Sequence, residues 1–160
     1  MVHRFSLNIS MLTMTADQLQ MACEVAKIGT FSFNLETEQV SWNNVLRQIL
    51  NIPADEEITL TTYLEMVNED DRNSIKRRNK NIINGKVTEY EDEYRITPRG
   101  GTELWLGIKG KVYPGTKIMY GIIQDITEQK KATERMLEIL KEKEASKENI
   151  RQLVKMIKEL

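Results

Sequence analysis

The chain has one cysteine, three prolines and one histidine in 160 residues, and each scarcity removes a class of chemistry. With Cys23 alone no disulfide can close within the chain, so a reducing, cytoplasmic compartment is its natural home. The only histidine, His3, sits in the opening segment. No Ser-His-acid constellation or paired metal ligands can be assembled around it, and no phosphate-cradling glycine loop or dinucleotide fingerprint occurs. The chain therefore reads as a non-enzyme with no catalytic or metal-binding residues. No run approaches the roughly 18 apolar residues a membrane helix needs, so membrane insertion is not expected. The opening "MVHRFSLNISMLTM" lacks the continuous apolar stretch of a signal peptide. Lys plus Arg total 23 against 24 for Asp plus Glu, a net charge of −1 that favours neither nucleic acid nor an anionic membrane. The one basic cluster, "KRRNK" at Lys76 to Lys80, follows three acids and reads as a solvated helix face.

Apolar residues make up 40% of the chain, enough for a core. Residues 1–14 read as an arm. Thr15 and Gln18 are spaced as a capping box, opening a flanking helix over 15–27 that Gly29 is expected to end. "GTFSFNLE" alternates as a half-buried strand, and "TEQVSW" reads as its hairpin partner. Short helices follow: "NNVLRQILNI", with Pro53 as its stop, "TTYLEMV", and a longer one from Glu69 closed by Gly85. Three strand candidates come next. "VTEYEDEYRI" carries Tyr90, Asp92, Tyr94 and Ile96 on one face, and "TELWLGIKGKVY" carries Leu104, Leu106, Ile108 and Val112. "KIMYGIIQDI" is apolar on both faces, which predicts a central strand. Segregated runs of this kind argue for an α+β class with an antiparallel sheet.

The third strand breaks off at Asp125 into charge and amide. Asp125 and Glu128 have capping-box spacing, so a helix is expected within a residue of the strand. Asp125, Ile126, Thr127 and Glu128 form this junction. From Ala132 a 4-3-4-3 spacing runs through Met136, Ile139, Lys143, Ser146, Ile150, Leu153, Ile157 and Leu160. It is apolar except at Lys143 and Ser146, and it predicts a dimer seam. A helix of about 35 residues would be roughly 50 Å long, more than a small domain can cover by fold-back.

These stretches resemble the PAS (Per-Arnt-Sim) family in its bacterial and archaeal sensor form, from about Ala26 to Lys131, with the domain itself over residues 28–126. "IGTFSFNLETEQVSWNNVLRQILNI" is similar to the family's opening strand, hairpin and helix. "VNEDDRNSI" resembles its "HPDDR" segment, with Asn68 and Glu69 in place of His-Pro. "YEDEYRITPRGGTELWLGIKGKV" resembles its "EYRI…DG…RWV…G" strand pair, and "YGIIQDITEQKKATERML" its terminal "DITERK" segment. The resemblance implies a PAS-like five-stranded antiparallel sheet with short helices on one face, between a flanking N-terminal helix and a long C-terminal signalling helix over 127–160. It also implies a sensory or signal-relay module that dimerises through its flanking helices and works with a kinase or other signalling output protein. Two further expectations stand beside this one: a ligand-free interaction or dimerisation domain, and the input fragment of a larger sensor histidine kinase or diguanylate cyclase. The tail faintly resembles a kinase dimerisation helix, but Arg151 and Gln152 stand where that pattern carries histidine.

Within such a fold, Leu46, Ile49, Arg78, Ile82, Tyr90, Asp92, Tyr94, Leu104, Leu106, Ile108 and Ile122 are candidates to line a pocket for a small molecule. A close-packed interior without ligand stands as an equal reading. Asp92 is the odd member: if buried it needs a partner, with Arg78 or Asn79 available, and the preferred reading sets it at the rim in water. The cofactor stays unknown. A covalent flavin adduct is not expected, because no "NCRFLQ"-type cysteine motif occurs and Cys23 reads as a small buried residue. A His-ligated haem is not expected, because His3 is badly placed. Trp42 and Trp105 read as large packing anchors.

Overall fold

The computed structural model of the protein describes residues 15–158. The expected arm over 1–14, with His3, and the last seam position, Leu160, lie outside the described residues. The chain divides after Asp125 into two compact units.

The first unit opens with α1, helical from the first described residue to 26. Lys27 ends it, not Gly29. Lys27 takes a left-handed φ of 53°, its N–H bonds the Glu24 carbonyl at 3.2 Å, and the Ile28 N–H reaches the Cys23 carbonyl at 2.8 Å. These two bonds close the last turn as a Schellman motif. Gly29 serves packing instead: a Cβ there would stand 2.9 Å from Cβ of Leu46. Strands β1 (Gly29–Asn34) and β2 (Val40–Trp42) form the hairpin.

Helix α2 (Asn44–Ile49) is capped by Asn43, whose Oδ1 accepts from Leu46 N and from Thr30 N, both at 3.0 Å. One side chain thus starts the helix and ties it to β1. Asn51, at φ 55°, terminates α2 before Pro53 is reached, with the Ile52 N–H bonded to the Arg47 carbonyl at 2.9 Å. Helix α3 (Leu60–Met66) starts at the Thr59 cap. Helix α4 (Glu69–Ile83) starts at Asn68, which also donates through Nδ2 to Glu103 at 2.7 Å. At Gly85 the expected stop holds: its φ is 69°, and the Lys86 N–H closes onto the Asn81 carbonyl.

Strands β3 (Glu89–Ile96), β4 (Leu104–Val112) and β5 (Ile118–Asp125) complete a five-stranded antiparallel sheet in the order β2-β1-β5-β4-β3. The strand expected to be central, β5, is central, with β1 and β4 on its flanks. Tyr90, Tyr94 and Ile96 share the inner face with Leu106 and Ile108, as the alternation predicts. The main core joins this face to Leu46 and Leu50, to Tyr63 and the capping residue Val67 of α3, and to Ile75 of α4. A second cluster holds Phe33, Ile82 and Met119.

The second unit is a single helix, α5 (Thr127–Lys158), with no buried residue. Its first intrahelical bond runs from the Lys130 N–H to the Ile126 carbonyl at 2.9 Å. Ile126 therefore holds the cap position, one residue after the Asp125 that the capping-box spacing assigns. Glu128 pairs instead with Lys131, at 3.1 Å.

Candidate functional site

A cavity of about 50 Å³ lies between the inner sheet face and helices α3 and α4. That volume takes a water molecule or two, at about 30 Å³ each. Its wall draws on all five strands, with Phe31, Phe33, Val40, Trp42, Tyr90, Tyr94, Ile108, Met119 and Ile123, and is closed by Leu60 and Tyr63 of α3 and by Ile75, Arg78 and Asn79 of α4.

The sheet makes room for it through two glycines. Phe31 pairs with Gly121, Gly121 with Gly110, and Gly110 with Tyr90, one cross-sheet row on the inner face. The two central positions of that row carry no side chain, so the rings of Phe31 and Tyr90 fold inward over them. A Cβ on Gly110 would stand 2.7 Å from Cε1 of Tyr90, and one on Gly121 would run into the Phe31 ring.

Arg78 is the charged centre. Its Nη1 donates to Asp92 Oδ2 at 2.7 Å, and its guanidinium lies 4.2 Å above the Tyr90 ring and 5.8 Å from that of Tyr94. The arginine side chain is 14% exposed and the aspartate 34%, so Asp92 keeps the rim position expected of it while Arg78 carries the ion pair inward. The solvated reading of "KRRNK" therefore fits Lys76, Arg77 and Lys80, which are exposed, and fails at Arg78 and Asn79, which turn to the cavity. Nε of Arg78 is fully buried and has no hydrogen-bond partner among the described residues.

Beside it, the hydroxyls of Tyr63 and Tyr94 hydrogen-bond each other, and the Trp42 and Tyr63 rings meet in a T-shaped pair with centroids 5.4 Å apart. Burial pushes the Tyr63 and Tyr94 hydroxyls well above the usual tyrosine range. Burial likewise pushes Tyr90 up to about 12, against the opposing pull of Arg78. All three phenols therefore stay protonated at neutral pH, and the cluster presents neutral donors around one guanidinium.

Of the residues singled out from sequence, Arg78, Tyr90, Tyr94 and Ile108 line the cavity and Asp92 holds Arg78 at its edge. Leu46 and Leu106 are fully buried in the core away from the wall, and Ile49 and Leu104 pack on that core. Ile82 belongs to the second cluster. Ile122 is a correction: it pairs with Thr30 and Lys109 on the outer face, and Ile123 takes the inner position. Because β5 is apolar on both faces, its alternation carried no sign of which face turned inward. Phe31, Trp42, Tyr63 and Met119 were not anticipated as wall residues. The Phe31–Phe33 alternation on one strand was the available signal for the first.

No cysteine borders the cavity; Cys23 is half-buried on α1. Among the described residues, no group of three His, Cys, Asp or Glu side chains is placed to hold a metal ion, and no helix is long and apolar enough to cross a membrane. On α5 the seam residues Met136, Ile139, Ile150, Leu153 and Ile157 are all exposed, joined by Leu137, Leu140 and Val154 on an adjoining row.

Comparison with known proteins places this geometry. A family model described as the PAS fold matches residues 39–122. The blue-light-activated histidine kinase of Brucella ovis is 32% identical over 117 residues, which is 72% of this chain and 24% of the kinase. The chain thus spans about a quarter of the length of the curated relatives it matches. Among solved structures, a sensory box histidine kinase/response regulator from Burkholderia thailandensis superposes with a TM-score of 0.61 at 25% identity, over 79% of this chain and 96% of that one. The N-terminal domain of a diguanylate cyclase with PAS/PAC sensor from Marinobacter aquaeolei shares the fold, with a TM-score of 0.57 at 15% identity over 64% and 97% of the two chains.

Proposed function

The chain belongs to the PAS fold family, and from that premise we propose that it is a sensory signal-transduction module in which the cavity receives the signal and α5 carries it out. The observation that carries this reading is the path of β5. Its Met119 and Ile123 line the cavity, and one residue after its end at Asp125 the chain enters α5, whose apolar row is exposed along its length. A shift of β5 against the helices has no loop in which to dissipate. Ile126, Thr127 and Glu128 pass it into α5, and α5 pairs with a second copy through Met136, Ile139, Ile150, Leu153 and Ile157, extended by Leu160. The polar interruption at Lys143 and Ser146 keeps the two-stranded coil marginal, so that two packings separated by a few kcal/mol can exchange. The chain performs no reaction itself. It acts in the cytoplasm on a kinase or another signalling output, as the input piece of a longer sensor; the kinase relatives, of which it spans a quarter, support that placement. The absence of Cys23 from the cavity lining supports a ligand held without a thiol adduct.

The small volume of the cavity, about 50 Å³, supports a second reading, a ligand-free dimerisation domain. Disulfide trapping separates the two. In a Cys23→Ser background, Ile139→Cys should cross-link between copies, and Met119→Ala in the cavity wall should change the cross-linking rate several-fold. Two glycines inserted after Asp125 should abolish that response. A rate indifferent to Met119→Ala leaves the dimerisation domain and removes the relay.

A further inference from the structure

The cavity wall carries one guanidinium whose inner edge has no acceptor among the described residues. Asp92 spends Oδ2 on Arg78 and accepts from the Glu93 N–H through Oδ1 at 2.9 Å. The Tyr63–Tyr94 bond consumes one phenolic proton, and neither hydroxyl has a second partner among the described residues. Only Nη1 of Arg78 is engaged, so the Nε–Nη2 edge of the guanidinium carries no hydrogen bond, and Nε is sealed from water. A buried N–H without an acceptor is costly, so this edge is a point where an added acceptor would be favoured. The Nε–Nη2 edge is a planar two-donor fork, and its natural complement is a carboxylate bound through both oxygens.

Arg78 stacks on Tyr90, and the Tyr90 ring lies over Gly110, which pairs with Gly121, so the guanidinium stands one ring away from a row without side chains. Tyr90 lies over Gly110 beneath the Arg78 guanidinium, 4.2 Å away, and the half-buried Phe31 ring covers Gly121, packed against both core clusters. Rotated off Gly121, the Phe31 ring would vacate a space of its own thickness above the backbone, next to Trp42 and Tyr90 of the cavity wall.

Building on the sensory reading above, we propose that the cavity is a receptor site for a small, flat organic acid. Its carboxylate takes the Nε–Nη2 edge of Arg78, and its ring occupies the slot that Phe31 now fills over Gly121. A cationic ligand is disfavoured by the orphan donors. A bulky aliphatic one is disfavoured by a slot of single-ring thickness.

Isothermal titration calorimetry on the full chain tests this with benzoate as the probe and benzyl alcohol as its uncharged analogue. Benzoate should bind one per chain and at least tenfold tighter than benzyl alcohol. Phe31→Ala should tighten benzoate several-fold, and Arg78→Gln should weaken it at least tenfold. Should Arg78→Gln fail to fold, Arg78→Lys decides: it keeps the charge but not the fork and should show the same loss. Equal affinity for the alcohol, benzoate binding unaffected by the folded Arg78 variant, or no saturable binding to wild type and Phe31→Ala each overturn the proposal. The sensory reading falls separately. Failed benzoate binding with Met119→Ala still altering α5 cross-linking rejects the acid and keeps the relay, whereas benzoate binding without any cross-linking response rejects the relay and keeps the site.

Discussion

At the scale of single residues, charges here stabilise by reaching across elements. Asp71, in the first turn of α4, accepts from Arg95 of β3 three times: from the backbone N–H at 2.9 Å, from Nε at 3.0 Å and from Nη2 at 3.1 Å. Those bonds to Arg95 hold its carboxyl below the ordinary value of 3.8. A carboxylate whose folded pKa is depressed contributes stability above its unfolded pKa and loses it as the pH falls through the folded one. Asp71→Asn should therefore lower Tm at pH 7, and the gap to wild type should close as the pH falls below 3.8, as calorimetric melts across pH 2–7 would read. A gap independent of pH would assign the loss to packing. Residues of this kind are half legible in sequence. An acid on an apolar face, as at Asp92, announces a rim or a partner. Which base of a run such as "KRRNK" turns inward depends on the angle at which α4 crosses the sheet.

Elements show where local signals suffice and where they mislead. Gly85 and the acidic start of α4 are read correctly because the glycine and the helix dipole act within one turn. Gly29 and Pro53 mislead, since Lys27 and Asn51 had already adopted the left-handed conformation that closes each helix. A non-glycine residue there is uncommon, so glycine and proline draw the eye first. Lys27→Gly should stabilise the end of α1 by about 0.5 kcal/mol, roughly 1 kcal/mol of left-handed strain relieved less the greater freedom of glycine in the unfolded chain. Hydrogen exchange at the residue 27 and 28 amides should slow about twofold. Unchanged or faster exchange would show that Lys27 makes contacts worth more than its strain.

For the whole molecule, the division after Asp125 separates a domain with its own core from a helix with none. Every residue of both core clusters precedes Asp125. A chain truncated after Ile126 should melt within about 1 °C of the full chain when both are monomeric, because no residue of α5 is buried and both core clusters lie before Asp125. Analytical ultracentrifugation should show self-association in the full chain and its loss on truncation. A drop of several degrees in the monomeric truncation would make α5 part of the domain's stability.

The amino-acid sequence by itself determined the class, the five strands, the central place of β5, the face of β3 and β4 that turns inward, and the abrupt passage from β5 to α5. Those follow from periodicity and turn chemistry, which act within a few residues. Only the tertiary structure decided which side chains meet at the cavity. Phe31 and Tyr90 lie 59 positions apart, yet sheet register sets them on one row across two glycines. Ile123 rather than Ile122 faces inward for the same reason: the face of a strand apolar on both sides is settled by its neighbours' pairing.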